Sequence, residues 1–280
     1  MDIQSAIIKG SKILKDKHIS TAQLDSEILM MKVIGKDKKY IILNNDKNLR
    51  KEKLKEFNQL IFERSNRKPI AYLINNKQFW KYEFHVTKDT LIPRPDSELI
   101  IEEALKITKN KKKLSVLDIG IGSGCILLSI LKERNNFFGA GIDINKNCLN
   151  ICKINAKRLR VYNRIKLYKS DVDKFVLGKY DLIVSNPPYI NRHKIKYLER
   201  DVVNYEPTLA LNGGLDGLSE IRKVIQKSSE LIKKNGKFIL EIGFNQRNKI
   251  VNLLKEKGFY INSVSKDLSN NDRCIVSTKI

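Results

Sequence analysis

The chain reads as an α/β protein: a small N-terminal helical bundle followed by a mostly parallel sheet that closes in an antiparallel C-terminal hairpin. Three observations predict this. From residue 114 onward, apolar runs of strand length alternate with helical stretches, the rhythm of a buried parallel sheet. Before that point, residues 1–72 carry only helical periodicity. At the end, "FYINSVSKDLSNNDRCIVSTK" holds two strand-like runs joined by a polar turn, with no helix between them.

At 280 residues there is room for one large domain, or a medium one with a smaller partner. Hydrophobic residues at 41% and charged residues at 30% are ordinary for a soluble globular protein. No apolar run reaches the roughly 18 residues needed to span a bilayer. The start, "MDIQSAIIKGSKILKDK", is amphipathic with an early acid and no arginine, so a cytoplasmic location without a membrane partner is expected. Cys125, Cys148, Cys152 and Cys274 form no C-x-x-C pair and no ligand cluster with the three histidines. Reduced thiols and no metal site follow. The net charge of +23 is compatible electrostatically with a polyanion. The lysines, however, are spread along a chain rich in Lys, Ile and Asn throughout, which is the composition an AT-rich genome writes on any protein. Direct nucleic-acid binding is therefore not expected from charge, nor excluded by it.

Taken in order, Ser20 and Gln23 have capping-box spacing, and Leu24, Ile28 and Met31 follow on one helical face. Leu54, Phe57, Leu60 and Ile61 repeat the pattern until Pro69 stops it. This bundle, residues 1–72, has no cluster suited to catalysis and reads as a docking module. Residues 73–92 read as a β-hairpin linker. The alternating aromatic run "IAYLINNKQFWKYEFHVT" predicts the hairpin, with the Asn-Asn pair in its middle. In "LIPRPDSELIIEEAL" two prolines hold the chain extended, and Asp96 or Ser97 is placed to cap a helix over Leu99, Ile100 and Leu105. Residues 93–280 form the α/β domain. Its strands are "LSVLDIG", "FFGAGIDI", "IKLYKSDV", "YDLIVSN" and "GKFILEIG", separated by helices at 124–134, 146–159, 217–234 and 245–257.

Three motifs carry chemistry. "VLDIGIGSGC" places Gly120, Gly122 and Gly124 straight after a strand and before a helix, with Asp118 ahead of them. Glycines there allow close backbone approach to a ligand. The spacing is G-x-G-x-G, and no phosphate-binding lysine or arginine accompanies it. Asp143 ends the next strand, placed to accept both ribose hydroxyls of an adenosine. A ligand with a ribose and no pyrophosphate fits better than a dinucleotide, and S-adenosylmethionine is such a ligand. Asp171 ends the third strand, where it suits either an adenine amino group or a helix cap, with Val172 beside it to pack on a ring.

The third motif is Asn186-Pro187-Pro188-Tyr189 at the end of the fourth strand. A conjugated NH₂ nitrogen is a poor nucleophile. The Asn186 side-chain oxygen and the Pro187 carbonyl can each accept one N–H of such a group and turn its lone pair toward a methyl donor. Proline stiffens these acceptors, and Tyr189 offers an aromatic wall. Catalysis would be positioning and charge complementarity.

The glycine loop, Asp143, N-P-P-Y, "LIPRPDSE", "YEPTLALNGGLDGL", "LEIGFNQ" and "NDR", in this order, resemble the HemK/PrmC family of peptide chain release factor glutamine N5-methyltransferases. The resemblance covers nearly the whole chain. It implies a Rossmann-like class I methyltransferase sheet behind a helical domain that docks the substrate. It implies S-adenosylmethionine as cofactor and, as partner, class I release factors methylated on the glutamine of their Gly-Gly-Gln loop. Carried over by position, Gly120, Ile121, Gly122, Ser123, Gly124, Asp143, Val172 and Asn186 would contact the cofactor, while Asn186, Pro187, Pro188 and Tyr189 would hold the substrate amide. Asn75 stands where the family usually has glycine, and Ile121 where it usually has threonine. Arg94, Glu206 and Glu241 fit either a pocket or a fold-stabilising role. Because N-P-P-Y also occurs in nucleic-acid amino-methyltransferases acting on adenine or guanine, that activity is the alternative. A non-catalytic module of the same fold is a further rival, and intact Gly120, Asp143 and Asn186 argue against it.

Overall fold

The computed structural model describes residues 1–280, which divide into two compact units: Met1–Asn76 with Glu199–Tyr205, and Lys77–Leu198 with Glu206–Ile280. The helices are α1 (Ile3–Asp16), α2 (Ala22–Ile34), α3 (Lys38–Leu43), α4 (Lys51–Ser65), α5 (Ile70–Ile74), α6 (Glu98–Ile107), α7 (Cys125–Glu133), α8 (Lys146–Arg158), α9 (Arg200–Tyr205), α10 (Ser219–Leu231) and α11 (Arg247–Glu256). The strands are β1 (Lys77–Phe79), β2 (Tyr82–Phe84), β3 (Ser115–Ile119), β4 (Phe138–Asp143), β5 (Ile165–Lys169), β6 (Tyr180–Ser185), β7 (Ile232–Glu241), β8 (Phe259–Lys266) and β9 (Asp272–Lys279).

The helical unit holds α1–α5 and α9 around Ile7, Leu14, Leu29, Met30, Phe57 and Ile61. Two expectations change here. Ser20 forms no capping box: Thr21 occupies the N-cap of α2, and its hydroxyl bonds Asp25. The buried face of α2 is Ala22, Asp25, Ser26, Leu29, Met30 and Val33, while Leu24 is exposed and Ile28 and Met31 only partly covered. Apolar spacing misjudged the face because two polar residues on it are satisfied inside. Ser26 donates to the Ile7 carbonyl at 2.8 Å, and Asp25 meets the buried Arg64 guanidinium at 2.7 Å. Arg64 also bonds Asp201 of the α9 segment at 2.7 Å and the Lys68 carbonyl at 3.1 Å.

The Asn-Asn pair is not a hairpin turn. Residues 70–74 are helical, and Asn75 ends α5 in the left-handed conformation, φ 54°, which explains why asparagine serves where glycine is usual. The hairpin comes later and is shorter: β1 pairs antiparallel with β2.

In the second unit the main sheet has the order β5-β4-β3-β6-β7-β9-β8. The strands from β5 to β7 are parallel; β9 runs antiparallel to β7 and β8 to β9. One face packs against α6, α7 and α8 through Ile101, Leu127, Leu131 and Cys152, and the other against α10 and α11 through Ile221, Ile225, Ile250 and Leu254. Chain order reverses between β3 and β6, so a crevice opens beyond their carboxyl ends. Ser185, fully buried, ties the two ends together by donating to the Ile119 carbonyl at 2.7 Å.

Candidate active site

Both central motifs open from that crevice. Gly120, Gly122 and Gly124 have φ of 78°, 53° and 83°, a region that side chains with a Cβ rarely adopt. At Gly120 and Gly122 a Cβ would meet nothing within 4 Å, so the bare backbone faces open space. At Gly124 a Cβ would lie 2.6 Å from Cys152 Sγ, so this glycine serves helix packing. Ile121 turns inward: it is buried, and its Cδ1 fills the space over Gly141. An apolar side chain at this position therefore belongs to the core and leaves the loop backbone exposed.

Asp143, at the end of β4, clasps the loop. Its Oδ2 accepts the Gly122 N–H at 3.0 Å and its Oδ1 the Asn145 N–H at 2.8 Å. Each carboxylate oxygen keeps capacity for a further donor. Burial raises its proton affinity, and the two backbone N–H groups oppose that rise. Asn155, which motif reasoning missed, braces the loop from behind by donating to the Ser123 carbonyl at 2.8 Å. Its only signal in the sequence is an asparagine in the interior of a helical stretch, and its burial is visible only in the fold.

Asp118 is buried, and neither carboxylate oxygen has a hydrogen-bond partner. Burial pushes its pKa to about 7; the Leu127 backbone N–H, outside hydrogen-bonding geometry, opposes the rise, and the nearby Asp143 adds to it. Asp171 is a cap: its Oδ1 accepts the Asp173 N–H at 3.2 Å, and the residue also lines the crevice.

A cavity of about 510 Å³ is lined by Gly120–Ser123, Asp143, Asp171, Val172, Asn186, Pro187 and Pro188. Of the expected site residues, Gly124 and Tyr189 are not in its wall. Tyr189 packs against the α10–α11 side of the core, and its hydroxyl donates to the buried Glu241 at 3.2 Å.

Neither Asp96 nor Ser97 caps α6 by a side-chain hydrogen bond; the turn before it is a 3-10 turn over Pro95–Ser97. Ser97 Oγ instead donates to Glu241 at 2.6 Å and accepts from Asn186 Nδ2 at 2.9 Å. Asp96 lies 3.4 Å from Arg273. Arg94 lines the cavity and pairs with the buried Glu206, which also accepts the Ile92 N–H at 3.1 Å.

The remaining signature residues support the N-P-P-Y corner from outside. Gln246 donates to the carbonyls of Tyr189 and Gly217, each at 3.0 Å. A Cβ at Gly213 would lie 2.9 Å from the Pro188 carbonyl oxygen, and one at Gly217 2.6 Å from that of Tyr189. Only glycine lets this returning segment lie against the corner.

A glycine turn after β3, an acid ending β4 and N-P-P-Y ending β6, meeting at the reversal of a mostly parallel sheet, define a Rossmann-like class I methyltransferase domain. Residues 96–216 match the methyltransferase small domain, and residues 5–74 match the PrmC N-terminal domain. Over its full length the chain is 34% identical to the release factor glutamine methyltransferase of Clostridium acetobutylicum, covering 99% of it, and 36% identical to that of Clostridium botulinum, covering 100%. The chain belongs to the release factor glutamine methyltransferase family. Among solved structures, ribosomal protein L11 methylase from Lactobacillus delbrueckii subsp. bulgaricus shares the fold at a TM-score of 0.52 and 19% identity, covering 73% of this chain and 90% of that one.

Proposed function

We propose that the chain methylates the side-chain nitrogen of the glutamine in the Gly-Gly-Gln loop of class I release factors, with S-adenosylmethionine as donor, in the cytoplasm. The observation that carries the reading is the shared cavity: the bare glycine turn with Asp143 on one wall, Asn186 and its prolines on the other. Its volume lies within the roughly 300–1,000 Å³ of small-molecule sites. The donor set fits S-adenosylmethionine. Asp143 would take the ribose hydroxyls, Asp171 the adenine amino group, and Val172 the ring. Gly120–Ser123, the part of the turn that lines the cavity, would admit the chain of the ligand. When bound, that group supplies a methyl on a positively charged sulfur.

The chain's own residues do the rest by positioning. Asn186 Oδ1 and the Pro187 carbonyl would accept the two amide hydrogens, turning the nitrogen lone pair toward the methyl group. No general base is needed before transfer; one N–H proton leaves the nitrogen once the methyl is on it. Pro187 and Pro188 would wall the substrate, with Tyr189 bracing the corner from behind.

Incubation with labelled S-adenosylmethionine and, separately, a release factor, duplex DNA and ribosomal RNA tests the reading. Label is expected in the release factor. Label in nucleic acid alone would establish the amino-methyltransferase alternative, and label nowhere a binding module.

A further inference from the structure

A carboxamide fits its space either way round, and only one orientation of Asn186 offers an acceptor to a substrate N–H. The structure contains a device that selects it. Asn186 Nδ2 donates to Ser97 Oγ at 2.9 Å, and that hydroxyl donates to Glu241 Oε2 at 2.6 Å. The other carboxylate oxygen, Oε1, takes the Tyr189 hydroxyl at 3.2 Å. Ser97 and Glu241 are both buried, so water does not compete for these bonds. A flipped amide would bring Asn186 Oδ1 to a hydroxyl whose only proton is already given to Glu241, two acceptors face to face.

We propose that Ser97, which lines the cavity, and Glu241 behind it are positioning residues that lock the Asn186 amide with its oxygen toward the substrate, and so set the rate of methyl transfer. The proposal rests on the reading of the site as a glutamine methyltransferase.

The lock needs Glu241 as an acceptor only. The groups facing it are Ser97 and Asp96 from the turn before α6, Tyr189 beyond β6, Arg273 and Cys274 on β9, and Cys125 at the start of α7. Burial pushes Glu241 up to about 7, against the pull of Ser97, Arg273 and Tyr189, while Asp96 adds to the rise. Below that pH Glu241 gains a proton and becomes a donor. The Ser97 hydroxyl is then free to turn to Asn186, and the amide can reverse.

Steady-state methylation of a release factor by wild type, Ser97→Ala, Ser97→Thr and Glu241→Gln tests this, with S-adenosylmethionine affinity measured by calorimetry. Ser97→Ala should lower kcat about tenfold or more through misorientation, with cofactor affinity unchanged. Ser97→Thr keeps the hydroxyl and should restore most of the rate. Wild-type kcat should fall as pH drops through about 7, and Glu241→Gln should be slower and lose that limb. Wild-type kcat in Ser97→Ala, a Thr variant no better than Ala, or an acid limb retained in Glu241→Gln would each overturn the lock. A wild type that leaves the release factor unmethylated overturns the functional reading together with the lock, whereas wild-type turnover with unaffected variants overturns the lock alone.

Discussion

Gly122 donates its backbone N–H to Asp143 Oδ2 at 3.0 Å, so the turn after β3 and the acid after β4 are one structural piece. Asp143 therefore shapes the loop as well as offering acceptors to a ligand. Asp143→Ala should weaken S-adenosylmethionine binding by roughly 10- to 100-fold, the worth of hydrogen bonds to a charged group. Calorimetric titration checks it, and an unchanged affinity would remove Asp143 from the binding site.

Asp118 predicts a pH dependence of stability. Burial raises its pKa from 3.8 in the unfolded chain to about 7 in the fold. Between those values the folded state holds a proton that the unfolded state has lost. The stabilising contribution is thus complete below 3.8 and disappears as pH rises through about 7. Asp118→Asn carries no such proton and should gain stability relative to wild type as pH rises across this window, by at most about 1.4 kcal/mol per pH unit. Taking the difference between the two proteins cancels the self-repulsion of a chain with net charge +23. Thermal melts at pH 5, 6 and 7 measure it; a constant difference would show that Asp118 does not titrate there.

Arg64 sits between Asp25 and Asp201 with its guanidinium buried. Arg64→Met would leave Asp25 as an unpaired buried charge, a loss of about 3–5 kcal/mol. Replacing Asp25 and Asp201 by Asn in the same chain should recover part of it. Urea denaturation reads both, and a single variant as stable as wild type would mean that the cluster is dispensable.

The parallel part of the sheet is legible from residue 114 onward because its central strands β3, β4 and β6 are short apolar runs, each leading into a turn and then a helix. The lysine-rich first half of β7, by contrast, hides where that strand begins. The cavity-lining residues that follow β3, β4, β5 and β6 are legible because they sit where strands end; those contributed by the segments before α6 and α10, such as Leu91 and Leu209, are not. What escaped was polar residues buried with partners distant in sequence. Asp25 and Ser26 look like the solvent face of α2 until Arg64 and the Ile7 carbonyl are placed beside them. Ser97 looks like a helix cap until Glu241, 144 residues away in the chain, takes its hydroxyl. Tyr189 reads as part of a substrate wall because its motif neighbours line the cavity, whereas its hydroxyl is held by Glu241 behind the corner. Hairpin residues 70–74 were misplaced because a five-residue helix leaves too little periodicity to distinguish it from a strand.

The central claim is that Asn186 presents a glutamine amide nitrogen for methylation. Mass spectrometry of the Gly-Gly-Gln peptide of a release factor, after incubation with S-adenosylmethionine and wild type or Asn186→Ala, tests it most directly. The account predicts one added methyl group on that glutamine with wild type. With Asn186→Ala it predicts a loss of about 100-fold or more in rate, while cofactor affinity is largely retained. A methyl group on any other residue, or an equal rate with Asn186→Ala, would contradict it.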